Sequence, residues 1–181
     1  SGHTGVWTGQ EMIVWGGFSG DGYLRSGARF QPSSQTWLAT SMTGAPSGRD
    51  GHAAVWIGNR MLIFGGRNAE GSLDDCHLYD PAADQWSAIG LTGGPSSRFG
   101  ATMVWAGTRL MVWGGQGSSG TLNTGSQLLF ANGVPAQWSP LTLANVPADR
   151  VGHTAVWTGQ RMIVWGGQRN GASLGDGGIY D

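Results

Sequence analysis

"GHTAVWTGQRMIVWGG", residues Gly152–Gly167, restates "GHTGVWTGQEMIVWGG", residues Gly2–Gly17, with fourteen of sixteen residues identical. Between them stand "MLIFGG" and "LMVWGG", so that Gly-Gly pairs fall at 16/17, 65/66, 114/115 and 166/167, in steps of 49, 49 and 52 residues. Trp37, Trp86 and Trp138 follow the same steps of 49 and 52, as do Arg49, Arg98 and Arg150, each closing a P-x-x-R string. A fixed period of this length is the mark of a repeat architecture. The three extra residues of the third repeat must lie between Gly115 and Trp138.

Each repeat reads as four short strands. Strand A is the "GHTAVW" type and strand B the "RMIVWGG" type, joined by a short Gly-containing turn suited to a hairpin. Strand C is "ARFQP", "HLYDP", "LLFAN" or "GIYD", and strand D holds the Trp in "TWLAT", "QWSAI" or "QWSPL". The C-to-D junctions cluster Asp, Pro, Ser and Asn, which favour turns. Strand B is apolar at consecutive positions, as expected of a strand covered on both faces. No segment has the i, i+3, i+4, i+7 period of an amphipathic helix. The chain therefore reads as all-β, and four-stranded sheets packed face to face make a β-propeller.

The "R-x-G-H-x-A-V-W" start, the Gly-Gly doublet, the Tyr-Asp-Pro of "HLYDP" and the Trp after it resemble the kelch motif, over essentially the whole chain. The resemblance implies four-stranded antiparallel kelch-type blades with strand A innermost and strand D at the rim. It places His3, His52 and His153 at the start of inner strands, at about residues 3–7, 52–56, 101–105 and 153–157. The third repeat departs from the pattern, with Ala101 in the His slot and "LLFANG" for the Tyr-Asp-Pro string. The expected organisation is one array over residues 1–181, with repeats of about 1–49, 50–98, 99–150 and 151–181. The fourth repeat holds no strand D. The array is therefore expected to be a fragment, completed by further blades, or half of a larger ring, closed head to tail by a second copy.

Composition removes several function classes. All ten basic residues are Arg, the formal net charge is −1, and no basic block exists to neutralise a phosphate backbone, so nucleic acid is not an expected partner. No stretch approaches a membrane-spanning apolar run, and no signal peptide is read. Thirty-four Gly could signal low complexity, but ten Trp oppose disorder. The single Cys76 forms no internal disulfide.

Chemistry-bearing residues mostly fall in repeat slots, where packing is the commoner reason for recurrence. A metal at His3, His52 and His153 is not expected, because Ala101 breaks the set. Cys76-His77 alone is a weak zinc signal. Kelch-related copper oxidases use a Cys-linked Tyr. Cys76 and Tyr79 lie three apart on one strand and point to opposite faces. No nucleophile elbow or His-Glu-x-x-His motif occurs. No catalytic residue, metal or cofactor is assigned. Arg49, Arg98 and Arg150 sit in D-to-A links, where they could bind carboxylates or fix blade geometry. Phe30, Tyr79, Phe130 and Tyr180 are read as one slot on strand C, and only Phe18, Tyr23 and Phe99 lie outside the aromatic pattern.

The variable sequence lies in the B-to-C links, which in a propeller emerge at one end, where binding usually happens. The candidate ligand-binding residues are Tyr23, Arg25, Arg49, Arg67, Arg98, Arg150 and Arg169. Asp21, Asn68, Glu70, Asn123 and Asn170 accompany them in the links. The expected function is a non-enzymatic binding or scaffold module for a protein or small polar ligand, within a larger bacterial surface or secreted protein. The alternative is a kelch-type enzyme acting on a small polar or sugar-like substrate at the loop end, which as a glycosidase would need two nearby carboxylates.

Overall fold

The computed structural model describes all residues, 1–181, and contains strands and turns but no helix, hence none long and apolar enough to cross a membrane. It forms two compact units, Ser1–Ile89 and Gly90–Asp181, each holding two blades. In the first unit, blade one comprises β1 (Thr4–Trp7), β2 (Met12–Trp15), β3 (Gly27–Gln31) and β4 (Thr36–Ala39). Blade two comprises β5 (Ala53–Trp56), β6 (Met61–Phe64), β7 (Cys76–Asp80) and β8 (Gln85–Ala88). In the second unit, blade three has β9 (Thr102–Trp105), β10 (Arg109–Trp113), β11 (Gly125–Ala131) and β12 (Val134–Pro140). Blade four has β13 (Thr154–Trp157), β14 (Met162–Trp165) and β15 (Gly177–Tyr180), with no outer strand. Every blade is an antiparallel meander in chain order. This is the all-β architecture of four-stranded blades that the repeat pattern predicts and the kelch resemblance implies.

The repeat residues explain why the chain takes this path. Both glycines of each Gly-Gly doublet have positive φ, from 65° to 71° at the first and 89° to 102° at the second. A Cβ on the second would stand 2.8 Å from a backbone oxygen of the preceding D-to-A link: Ser1 for Gly17, Asp50 for Gly66, Phe99 for Gly115 and Val151 for Gly167. Only glycine combines that conformation with that approach. The C-to-D turns also repeat one left-handed residue, at Gln35, Asp84 and Asn132, with φ between 50° and 56°.

Two departures from the sequence reading stand out. The B-to-C links, read only as variable segments, carry short strands of their own. Three contain a small hairpin, pairing Arg67–Asn68 with Gly71–Ser72, Gln116–Gly117 with Gly120–Thr121, and Gln168–Arg169 with Ala172–Ser173. The fourth pairs Phe18 with Tyr23. In blade three the extra residues lengthen the β11–β12 hairpin, with a register shift at Leu129/Phe130. Leu128 therefore faces Trp138, where Tyr79 faces Trp86. Phe130 leaves the strand C slot assigned to it and packs edge-on against Trp105 at 4.9 Å.

Each unit has its own core between its two blades. In the first, Val6, Ile13 and Trp15 of blade one pack with Met61, Ile63, Tyr79 and Trp86 of blade two. In the second, Val104, Met111 and Trp113 of blade three pack with Met162 and Val164 of blade four. All four residues of β6 are buried, in keeping with its unbroken apolar run.

Candidate functional site

The loop ends are organised by the three P-x-x-R arginines, which are 0–2% exposed. The Arg49 guanidinium donates from Nε to the Ser47 carbonyl at 3.0 Å and from Nη1 to the Gly65 carbonyl at 2.9 Å. Its two Nη atoms also form a fork on Asp75, one arm to Oδ1 and the other to Oδ2 at 2.7 Å. Its main chain faces the other way. The Arg49 carbonyl accepts from Gly17 N at 2.7 Å, and its N–H donates to the Leu24 carbonyl at 3.2 Å. One residue thus clasps the B-to-C link of blade one with its backbone and that of blade two with its side chain. Arg150 repeats this in the second unit. It binds Gly115 and Leu122 by backbone, and the Gly166 and Asp176 carbonyls plus Asp176 Oδ1 by side chain, each side-chain bond at 2.9 Å.

Arg98 grips Gly114 and Thr124 carbonyls at 3.0 and 2.8 Å. Thr124 stands where the other clasps have Asp75 and Asp176. Burial with no carboxylate beside it lowers Arg98 to about 10, which leaves it charged at neutral pH. Partial burial opposes the charge on Asp75, but hydrogen bonds from Arg49 and His77 prevail and hold it well below the usual carboxylate range.

The residue after each arginine bridges to the hairpin of its own blade. Asp50 and Arg67 exchange backbone hydrogen bonds at 3.0 and 2.9 Å, as do Phe99 with Gln116 and Val151 with Gln168. On this frame the side chains diverge. Arg67 is exposed and pairs with Asp50, Nε to Oδ1 at 2.8 Å. That hydrogen bond, and at longer range the charge of Asp50 and the phenol of Tyr23, favour its charged form. Tyr23 is half-buried with its ring edge-on to Phe18 at 5.1 Å. Arg25 is exposed but tethered, its Nη2 donating to the Met42 and Ala45 carbonyls at 3.1 Å. In the second unit Arg169 pairs with Asp149 at 2.8 Å, and Thr121 donates to the same carboxylate. Asp149 is held below its ordinary value, chiefly by the Thr121 hydroxyl.

The seven candidate residues therefore divide. Arg49, Arg98 and Arg150 lie inside, with their donors engaged by the fold. Tyr23, Arg25, Arg67 and Arg169 reach the surface. The partners Asp50, Asp75, Asp149 and Asp176 had not been singled out. The signal was in the spacing: the clasp acceptors lie 16 and 26 residues beyond their arginine in all three clasps.

The histidine slot is a second inter-blade tie. His52 Nε2 lies 2.6 Å from Thr4 Oγ1, and His153 Nε2 lies 2.8 Å from Thr102 Oγ1. Both rings also pack edge-on against the strand B Trp of the preceding blade, Trp15 and Trp113, at 5.3 and 5.0 Å. His3, in the same slot of blade one, is exposed. Cys76 is buried, and burial pushes its thiol far up, which opposes thiolate chemistry.

Four-stranded meanders, Gly-Gly doublets and repeated Arg and His ties define a kelch-type β-propeller array. A family model described as the KLHDC2/KLHL20/DRC7 Kelch-repeats domain matches residues 1–101, more than half of the chain, and the chain belongs to this kelch-repeat family. No curated protein matches it.

Proposed function

We propose that this chain is a non-enzymatic binding module that presents its B-to-C hairpins and D-to-A links to a protein or small polar ligand. Kelch propellers serve in general as protein-binding scaffolds. The observation that carries the reading is the arginine clasp. It fixes the backbone of neighbouring links in advance, which lowers the ordering cost of binding. Tyr23, Arg25, Arg67 and Arg169 stand on that fixed frame. The exposed guanidinium groups, Arg25 and Arg67 in the first unit and Arg169 in the second, each suit a ligand with carboxylate or other acidic groups. Asp50, Asp75, Asp149 and Asp176 are each paired with an arginine, which supports a scaffold over a carboxylate-pair enzyme. The same reading has the array completed by a second copy docked head to tail or by further blades of a longer chain.

The test is an array of acidic peptides and acidic oligosaccharides probed with the full chain and with the Arg25→Ser/Arg67→Ser/Arg169→Ser variant. Binding should fall at least tenfold in the variant, about 1.4 kcal/mol or more, with an unchanged circular dichroism spectrum. Peptide binding against oligosaccharide binding decides the ligand class. Equal binding by both chains would count against these residues as the site.

A further inference from the structure

Gly2–Gly17 and Gly152–Gly167 differ at two positions, and one difference reverses a charge: Glu11 stands where the fourth repeat has Arg161. The same position, at the end of the A-to-B turn, is Arg60 in blade two and Arg109 in blade three. Blade one departs once more on β3. Arg29 lies opposite Ile13, in the place where blade two sets Leu78 opposite Leu62. Glu11 is two residues before Ile13 and so shares its face of the sheet with Arg29. A residue that recurs in each blade answers a packing problem common to all of them. These two break their slots together, so common packing does not account for them.

Both line one cleft. It lies between blades one and two, at the A-to-B and C-to-D end of the strands, opposite the B-to-C hairpins, and both blades have all four strands. Its volume is about 560 Å³, and Gln10, Gln31, Trp56 and Asn59 contribute to its walls. Small-ligand pockets span roughly 300–1,000 Å³. The turn that presents Gln10 and Glu11 is fixed in advance. Thr8 N–H donates to the Glu11 carbonyl at 3.0 Å, and Thr8 Oγ1 accepts from the N–H groups of Gln10 and Glu11 at 3.2 and 3.0 Å. Arg29 Nη1 donates to the Pro81 carbonyl of blade two at 2.6 Å. It stands 3.6 Å from Glu11 Oε1, too far for a hydrogen bond. The Glu11 carboxylate accepts no hydrogen bond from the protein, Arg29 Nη2 has no acceptor, and none of these atoms is sealed from the cleft. Arg49, Arg98 and Arg150, by contrast, have their donors engaged by the fold.

We infer that this cleft binds a neutral mono- or disaccharide. Adjacent sugar hydroxyls each donate and accept, so one pair satisfies the Glu11 carboxylate and Arg29 Nη2 together. An anion would meet the charge of Glu11, and a cation that of Arg29. The amides of Gln10, Gln31 and Asn59 each add a donor and an acceptor for further hydroxyls. The half-buried Trp56 supplies an apolar surface for the C–H face of the ring. This site is separate from the loop-end site proposed above and shares no residue with it.

The probes are maltose, lactose, cellobiose and trehalose, each titrated calorimetrically into the full chain, with succinate as an anionic probe. At least one sugar should saturate the protein below about 10 mM. Glu11→Gln, which keeps the shape and removes the charge, should weaken it at least tenfold with an unchanged circular dichroism spectrum. Glu11→Arg/Arg29→Leu, which writes the residues of blade two into blade one, should abolish it. The Arg25→Ser/Arg67→Ser/Arg169→Ser variant should bind the sugar as the wild type does. Absence of saturation by all four sugars, equal binding by the Glu11→Gln chain, or succinate bound in their place overturns the inference. So does loss of sugar binding in the triple arginine variant, because the site is then at the loop end.

Discussion

His52 and His153 show how a repeated polar residue ties blades together and sets a pH limit. Burial first, and then the neighbouring Arg49 charge, hold His52 down to about 3; burial and Arg150 hold His153 at about 4. Both folded values lie below the ordinary 6.5. As pH falls through 6.5 the unfolded chain takes up protons that the folded chain refuses, so stability falls. Each histidine contributes about 1.4 kcal/mol per pH unit across that window. Between pH 7 and 5 the pair should cost about 3–4 kcal/mol, read as a shift in urea midpoint. His52→Asn with His153→Asn should flatten the profile, and a flat wild-type profile would refute the assignment. The histidine slot was legible from its spacing. Its partner was not: Thr recurs at 4, 102 and 154, with Ala53 between, but spacing does not report that the hydroxyl meets the histidine of the next blade. The arginines were legible as recurrent residues, but whether they face a ligand or the fold depends on burial, which spacing does not report.

At the scale of the strand, the doublets and apolar runs made the A and B strands legible to within about a residue. They do so because a left-handed Gly pair and a doubly covered strand tolerate few alternatives. The hairpins in the B-to-C links escaped notice because they consist of two-residue strands with little apolar content. The strand C slot of blade three misled because Phe130 is aromatic while the register shift beside it leaves no compositional trace. The rim Trp separates into two environments that sequence does not distinguish: Trp86 is 7% exposed and Trp37 is 53% exposed. Trp86→Ala should cost about 3–5 kcal/mol, the range for truncating a buried large aromatic ring. Trp37→Ala should cost well under half of that. Equilibrium urea unfolding of both variants checks the contrast, and equal losses would mean that the blade register is wrong.

The largest scale concerns which sheet faces meet. Within the first unit, Val6, Ile13 and Trp15 form the forward face of blade one, against Met61, Ile63, Tyr79 and Trp86 on the rear face of blade two. Blade four carries Val156, Ile163 and Trp165 at the forward positions, the same three residue types. Val156 is 57% and Trp165 58% exposed, against 8% for Val6 and 0% for Trp15. The rear face of blade one offers Trp7 and Trp37, 55% and 53% exposed, with Met12, Val14 and Phe30 between them. Even the polar tie has both halves available, since Thr154 and His3 are exposed. Two open apolar faces that match a contact already made inside the unit favour cover, by further blades of a longer chain or by head-to-tail association of this one, over exposure to water. The hydroxyl of Thr154 would meet His3 as Thr4 meets His52. Sedimentation velocity at micromolar concentration should therefore show mass beyond the 18.9 kDa chain, levelling at a dimer if two copies close on each other. Trp165→Glu, at the centre of the forward face, should weaken association about 30-fold or more, the loss of roughly 2 kcal/mol expected of a buried interface Trp. Because Trp165 is exposed in the single chain, its replacement should leave the urea midpoint nearly unchanged at dilute concentration. A monomer that persists on concentrating, or a Trp165→Glu chain that associates like the wild type, would show that these faces are not partners.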